Sequence, residues 1–188
     1  MRKVRVSLLL LGSFLSCALF AQKAPTAAQI LRDAKAQAEQ QHKLIFLVFS
    51  ASWCGPCHQL DAFLDAPEIR PIAEKYFVLA RLNVAEKAGE HPELESPGGE
   101  ELDVKFGGAD EKGGVTGVPF LVFLDAKGEL IVNSNRPVQG HPEGDNIGYP
   151  AEPYEIDWFT AMLKKAVPEM TPDESRTIES WLRRASTK

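Results

Sequence analysis

Cysteine is scarce in this chain: there are three among 188 residues, and one of them, Cys17, lies in an apolar N-terminal segment. Removal or lipidation of Cys17 would leave Cys54 and Cys57 as the only thiols. Two cysteines so close in sequence enclose a very short loop, and closing such a loop removes little entropy from the unfolded chain. A disulfide that only braces an exported fold is therefore a weak explanation for this pair.

The chain also lacks an apolar run long enough to span a bilayer comfortably. Residues 6–16 form an apolar run at the N-terminus, and three basic residues precede it: Arg2, Lys3 and Arg5. A basic start followed by a short apolar run is typical of a secretory signal peptide. We therefore interpret residues 1–21 as a signal peptide and residues 22–188 as a single domain.

Two cleavage sites fit this segment, after Ala18 and after Ala21, and the exported chain would then be periplasmic or extracellular. An alternative is lipidation of Cys17, because Leu-Ser-Cys at 15–17 partly matches a bacterial lipobox, although Phe14 fits that motif poorly. A membrane would be a partner only if Cys17 were lipidated.

Positive charge is in short supply as well: 21 Lys and Arg stand against 26 Asp and Glu, a formal net charge of −5. Loss of residues 1–21 would remove three basic residues and no acidic one, leaving a net charge of −8. Nucleic-acid binding depends on basic side chains that neutralise phosphates, so we expect no nucleic-acid partner. A content of 44% hydrophobic and 25% charged residues is ordinary for one folded domain.

What the chain does contain is the stretch Ser-Ala-Ser-Trp-Cys-Gly-Pro-Cys-His at residues 50–58. The residues before it, 44–49, are aromatic and β-branched and predict a buried strand, whereas apolar residues at 60, 63 and 64 fall on one face of a helix. The two cysteines therefore lie where a strand gives way to a helix. The free N–H groups and dipole at a helix N-terminus can lower a cysteine pKa from about 8.5 to between about 3.5 and 7.5.

This position predicts different roles for the two thiols. Cys54, on the outer side of the turn, is the expected attacking thiolate, and Cys57, inside the first helical turn, is the better shielded resolving thiol. Trp53 beside an exposed thiolate would form part of the substrate contact surface. A protonated His58 near Cys57 would favour the thiolate there and so help to tune the redox potential.

The pair has other interpretations. Residues 54–58 also spell C-x-x-C-H, the attachment motif of c-type haem, which would make the protein a small cytochrome. Half of a zinc site is another, but tetrahedral coordination would have to be completed by scattered histidines: His42, His91 and His141. A merely structural disulfide is the last alternative interpretation of the pair. We favour a redox pair, with no cofactor and no metal.

The motif Trp-Cys-Gly-Pro-Cys at 53–57, placed after a buried strand, resembles the active site of the thioredoxin family. The resemblance extends over about residues 26–167 and is nearest to a secreted branch with a helix before the first strand and a phrase like Asp-Ala-Pro-Glu-Ile at 65–69. It implies an α/β thioredoxin-like fold, a central mixed β-sheet flanked by helices, and a redox-active cysteine pair.

The resemblance also implies roles outside the cysteine motif. Pro119 would follow a cis peptide bond and place the Val118 backbone beside Cys54, where an extended substrate could add to it as a strand. Gly55 and Pro56 resemble the residues between the cysteines in reducing members of the family and would tune the potential.

One position departs from the family. Many thioredoxins carry a buried acidic residue six positions before the first cysteine, where it helps to take the proton from the second thiol. Here that residue is Val48. The proton of Cys57 would have to pass to water, to His58 or to an acid from elsewhere.

Two polar, glycine-rich stretches, residues 86–114 and 133–153, interrupt the resemblance as insertions. Within the first, only residues 100–106 predict a turn or two of helix; it leads to Val118 and Pro119, so we assign it a role in choosing partners. The second has no regular period and is interpreted as a plain surface excursion.

The other apolar patterns predict a helix from Thr26 to about His42, a short helix from Pro67, strands at 77–84, 117–124 and 129–132, and helices at 155–167 and about 172–185.

The function that follows is an exported, monomeric thiol–disulfide oxidoreductase that reduces or exchanges protein disulfides through a mixed disulfide on Cys54, resolved by Cys57. Its partners would be protein disulfides or dithiols and a second redox protein. The alternative is a thioredoxin-like binding module that acts through the insertions, in which the cysteines matter little.

Overall fold

The computed structural model describes residues 25–84, 86, 91–109 and 117–186. The predicted signal peptide and Cys17 lie outside these residues. None of the helices in this part of the chain is long and apolar enough to cross a membrane.

A four-stranded mixed sheet forms the centre of the described chain. Strand β1 (Leu44–Ser50) runs parallel to β2 (Phe77–Asn83) and antiparallel to β3 (Phe120–Leu124), and β3 pairs antiparallel with β4 (Leu130–Asn133). The strand order is therefore β2-β1-β3-β4. All five residues of β3 are buried, as are six of the seven in β1, because both faces of these strands are covered. This explains why their sequences are continuous apolar runs rather than alternating ones.

Helices cover both faces of the sheet, as expected for the α/β class. The helices span Ala27–Gln41 (α1), Gly55–Leu64 (α2), Arg70–Tyr76 (α3), Gly99–Phe106 (α4), Pro153–Ala166 (α5) and Pro172–Ala185 (α6). One apolar cluster joins the sheet to α2, α3, α5 and α6, and a second joins it to α1 and α4.

The first and last helices begin at the predicted capping boxes. The Thr26 side chain accepts a hydrogen bond from the Gln29 N–H, and the Thr26 N–H donates to the Gln29 side chain; Thr171 and Glu174 repeat the arrangement at α6. Helix α6 is an integral part of the fold, since Ile178 is buried in the larger apolar cluster.

The predicted start of the third helix is wrong. Pro67 lies in a turn, and α3 begins at Arg70, with Pro71 in its first turn. The sequence has two prolines here, and the second one occupies the first turn of α3. A backbone N–H at that position would have no partner within the helix, so proline costs no hydrogen bond there.

The second insertion, for which the sequence predicted no regular structure, contains two strands. Its residues form an antiparallel hairpin of β5 (Asn135–Val138) and β6 (His141–Asn146), separate from the main sheet. Gly144 has a φ of 76°, and a Cβ there would lie 2.7 Å from the Arg136 carbonyl oxygen, so the close approach of the two strands requires glycine. Neither strand has a fully buried face, which is why the sequence shows no alternation.

Helix α4, in the first insertion, carries a buried acid. Asp103 is 1% exposed, and neither of its carboxylate oxygens has a hydrogen-bond partner among the residues that the structure describes. Burial raises the pKa of Asp103 to about 7, and the charge of Glu100 adds to the effect. A Cβ on Gly108 would overlap both the Asp103 carboxylate and the Phe120 ring, so the acid is enclosed tightly at the start of β3.

This burial predicts a stability that depends on pH. Between the unfolded pKa of 3.8 and the folded pKa of about 7, the folded protein binds more protons at Asp103 than the unfolded chain does, so stability falls as pH rises through this window. We expect Asp103→Asn to remove this part of the pH dependence, so that its free energy of unfolding in urea rises relative to wild type between pH 5 and pH 8. Asp33→Asn, at an exposed position on α1, is the control, and a constant difference between wild type and Asp103→Asn would contradict the assignment.

Candidate redox site

The two predicted redox cysteines are joined by a disulfide at the junction of β1 and α2. Cys54 is the N-cap of α2 and Cys57 lies in its first turn, with their Cα atoms 5.2 Å apart. The strand-to-helix transition predicted for this segment is confirmed.

The N-terminus of α2 determines which charge is favoured at Cys54. The backbone N–H of Cys57 donates to Cys54 Sγ at 3.1 Å, so the sulfur occupies the position of a capping oxygen. When the disulfide is reduced, the same N–H and the positive end of the helix dipole stabilise a thiolate at Cys54 in preference to a thiol. The first turn therefore favours an ionised sulfur at residue 54.

The cis-proline loop, defined as residues 117–119, faces the disulfide. The Val118–Pro119 peptide bond is cis, and the Val118 carbonyl oxygen lies 3.3 Å from Cys54 Sγ. Val118 packs against the small apolar cluster that Ala51, Cys54 and Cys57 form. The expected placement of Val118 beside Cys54 is confirmed.

The expected difference in exposure between the cysteines is wrong. Cys54 and Cys57 are each 1% exposed in the disulfide form. Contact with Val118 shields Cys54, a tertiary contact that its position on the turn could not reveal. Trp53 next to it is 48% exposed and forms the accessible part of the active-site turn, defined as residues 51–54.

The side chain of His58 points back to the active-site turn. Its Nε2 lies 3.0 Å from the Ser52 carbonyl oxygen, and the residue is exposed. Gly55 and Pro56 are exposed in the first turn, and a Cβ on Gly55 would meet nothing within 4 Å. Packing therefore gives no reason for glycine at residue 55.

Beneath α2, polar side chains stand near the position that holds the acid in many thioredoxins. Val48 is fully buried in the apolar cluster, and Arg81 is its partner on β2. The Arg81 guanidinium donates to the carboxylate of Asp61, one turn after Cys57 on α2. Because residues four apart share a helix face, Asp61 is on the same side of α2 as Cys57.

The first insertion reaches the active-site turn through Glu86, which the sequence analysis did not identify. One carboxylate oxygen accepts from the Ser52 N–H at 2.7 Å and the other from the Ser52 hydroxyl at 2.6 Å. The Glu86 N–H in turn donates to Glu95, whose pKa is raised by burial and by the charges of Glu100 and Glu86. A carboxylate is thus bonded to Ser52, which is two residues before Cys54.

The second insertion reaches the cis-proline loop through Asn146, which the sequence analysis also missed. Its amide nitrogen donates to the carbonyl oxygens of Gly117 and Pro119, at 2.9 and 3.2 Å. No local pattern marks either residue, because the partner of Glu86 is 34 residues away in sequence and the loop partners of Asn146 are 29 and 27 residues away.

The histidines considered as zinc ligands lie in other surroundings. His42 is the C-cap of α1, and His91 and His141 contact nearby carboxylates at 3.2 and 3.0 Å. Among the residues that the structure describes, no group of three His, Cys, Asp or Glu side chains could hold a metal ion.

A family profile described as thioredoxin-like matches residues 26–126, which is more than half of the chain. The chain belongs to this family. A Cys54–Cys57 pair in the thioredoxin-like domain makes it a thiol–disulfide oxidoreductase. No curated protein matches the sequence.

Solved structures with low sequence identity also align with the chain. A disulphide isomerase from Xylella fastidiosa Temecula1 is 17% identical, with 91% of this chain and 99% of that chain covered and a TM-score of 0.49. A protein titled DsbH oxidoreductase is 22% identical, with coverages of 87% and 96% and a TM-score of 0.49. A thioredoxin-fold protein from Helicobacter pylori is 16% identical, with coverages of 77% and 85% and a TM-score of 0.40.

The carboxylate of Glu86 should influence the ionisation of the nearby thiol. A negative charge close to Cys54 disfavours a second one, so we expect Glu86→Gln to move the pH midpoint of Cys54 alkylation downward by up to about 1 pH unit. The measurement is the rate of iodoacetamide alkylation of the reduced protein between pH 4 and pH 9. Glu129→Gln, with the same change of charge in the β3–β4 turn, is the control. An unchanged or higher midpoint in Glu86→Gln would show that Glu86 does not act on the thiol through its charge.

Proposed function

We propose that this protein exchanges protein disulfides through a mixed disulfide at Cys54, acting as a monomer in an exported compartment. The observation that carries the proposal is the hydrogen bond from the Cys57 N–H to Cys54 Sγ at the N-terminus of α2. It supports Cys54 as the nucleophile, because the same donor stabilises a thiolate at that sulfur after reduction.

The reaction begins from the reduced pair. The Cys54 thiolate attacks one sulfur of a substrate disulfide; a new S–S bond forms between Cys54 and the substrate, and the substrate's own S–S bond breaks. The departing substrate thiolate takes a proton. Cys57, after losing its proton, then attacks Cys54 Sγ and releases the second substrate thiolate. Two electrons pass from the protein to the substrate, which leaves reduced, while Cys54 and Cys57 close the disulfide seen here.

The same steps in reverse oxidise a dithiol. The direction in the cell is set by the reduction potential of the pair relative to that of the partner that recharges it. Gly55 and Pro56 are the residues we assign to tuning this potential, and Trp53 and Val118 are those we assign to substrate contact. Trp53 is exposed next to Cys54 in the chain, and the Val118 carbonyl oxygen lies 3.3 Å from Cys54 Sγ.

The insertions support this function rather than a separate binding role. Glu86 in the first bonds to the active-site turn, and Asn146 in the second bonds to the cis-proline loop. Both therefore contact the redox site itself.

A trapping experiment tests the mechanism. Cys57→Ser leaves the nucleophile but removes the thiol that resolves the intermediate, so we expect covalent adducts between this variant and a protein disulfide such as insulin on non-reducing gels. Cys54→Ser should form no adduct through the same site and should lose at least about 100-fold in insulin reduction, because a hydroxyl does not replace a thiolate as nucleophile. Wild-type activity in Cys54→Ser, or adducts of equal yield in both variants, would refute the assignment.

Export is proposed from the N-terminal sequence, with its basic start and short apolar run. Expressed at full length in a bacterial host, the protein should be recovered from the periplasm or the medium with a mass that corresponds to a start after Ala18 or Ala21. A lipid-modified Cys17 would place it on a membrane instead. A cytoplasmic protein that retains Met1 would contradict export.

A further inference from the structure

We propose that Asn146, in strand β6, is a positioning residue for disulfide exchange: it fixes the cis-proline loop in the place where a substrate chain pairs with it beside Cys54. The inference rests on the proposed function and assigns a role to the second insertion. Asn146 touches the loop and neither sulfur in the contacts described, so its effect would be exerted through the loop.

The Asn146 side chain uses its full hydrogen-bonding capacity. Its Nδ2 donates to the carbonyl oxygens of Gly117 and Pro119, and its Oδ1 accepts from the Ser134 hydroxyl at 2.7 Å and from the Gly148 N–H at 3.0 Å. Two donors and two acceptors each have a complementary partner, which determines the orientation of the amide. Both carbonyls that flank Val118 are therefore held by one side chain.

Ser134, which donates to the Asn146 amide oxygen, is itself bonded to the central sheet. Ser134 is fully buried, and its hydroxyl oxygen accepts from the Leu121 N–H at 2.9 Å while its own N–H donates to the Leu121 carbonyl at 2.8 Å. Leu121 belongs to β3, a strand buried along its whole length. The contacts thus run from the central sheet through Ser134 and Asn146 to the cis-proline loop.

The position of the loop beside the sulfur explains why it needs this support. Gly117 has a φ of 113°, a backbone region open mainly to glycine. The Val118 carbonyl lies 3.3 Å from Cys54 Sγ. A substrate that pairs with the Val118 backbone as an added strand requires this backbone to be held at a fixed distance from the sulfur.

The test compares Asn146→Asp with wild type in insulin reduction, with dithiothreitol as the recharging thiol. The substitution keeps the shape of the side chain but turns a carboxylate oxygen toward two carbonyl oxygens. We expect the KM for insulin to rise by at least about 10-fold, with kcat within about threefold of wild type. Asn146→Ala, which loses the bonds without adding repulsion, should show a smaller rise in KM and keeps the test decisive if the aspartate variant does not fold.

Asn133→Asp is the matched control. The side-chain amide of Asn133 also donates a hydrogen bond to a backbone carbonyl, at 2.8 Å, but this carbonyl belongs to Phe106 at the end of α4 and not to the cis-proline loop. We expect its KM for insulin to stay within about twofold of wild type. Iodoacetamide alkylation of reduced Cys54 at pH 9 is the second readout and should be unchanged in all the Asn variants, because this small reagent does not pair with the loop.

The outcomes separate the inference from the proposed function. If wild type reduces insulin no faster than Cys54→Ser, the proposed function fails. If wild type is active and both Asn146 variants have its KM, or if Asn133→Asp raises KM as much, the positioning role of Asn146 is refuted while the function stands. If KM and the alkylation rate change together in the Asn146 variants, Asn146 acts on the thiol and not on substrate pairing.

Discussion

The chemistry of the site depends on one hydrogen bond, from the backbone N–H of Cys57 to the sulfur of Cys54 at 3.1 Å. It exists because β1 ends and α2 begins within four residues, so that an N–H in the first turn of a new helix meets a sulfur in the place of a capping oxygen, while it also donates to the Cys54 carbonyl oxygen. The apolar clusters on both faces of the sheet serve to hold this junction in place. Without the junction, the cysteines would be an ordinary short-range disulfide.

Each insertion holds one half of the site. Glu86 fixes the active-site turn through two oxygens on Ser52, and Asn146 fixes the cis-proline loop through two carbonyls. Glu86 precedes β3 in the chain, and Asn146 follows it. The two short backbone segments of the site are therefore held by side chains from outside the central sheet.

Much of the fold could be predicted from the sequence because the signals are local. The buried runs of β1 and β3, the capping boxes of α1 and α6 and the strand-to-helix position of the cysteines are each contained within a few neighbouring residues. The start of α3 was misplaced because two prolines compete for one first-turn position. The hairpin of β5 and β6 escaped prediction because its strands have no face in the core and so no alternation.

The site was only partly predictable for a different reason. The cysteines and the cis-proline are short motifs, whereas Glu86 and Asn146 act through hydrogen bonds to backbone groups between 27 and 34 residues away. Such bonds require no particular residue nearby in sequence. The burial of Cys54 is likewise a property of two segments together. Position on a turn predicts which side of a helix a sulfur faces, but not what covers it.

That cover has a consequence for how the protein behaves between encounters. With each cysteine only 1% exposed, the closed disulfide lies behind the Val118 backbone, so a dissolved thiol reaches it less readily than it reaches an exposed disulfide. A protein partner that displaces this backbone removes the barrier, which gives it a kinetic advantage over small thiols as the reductant of the pair.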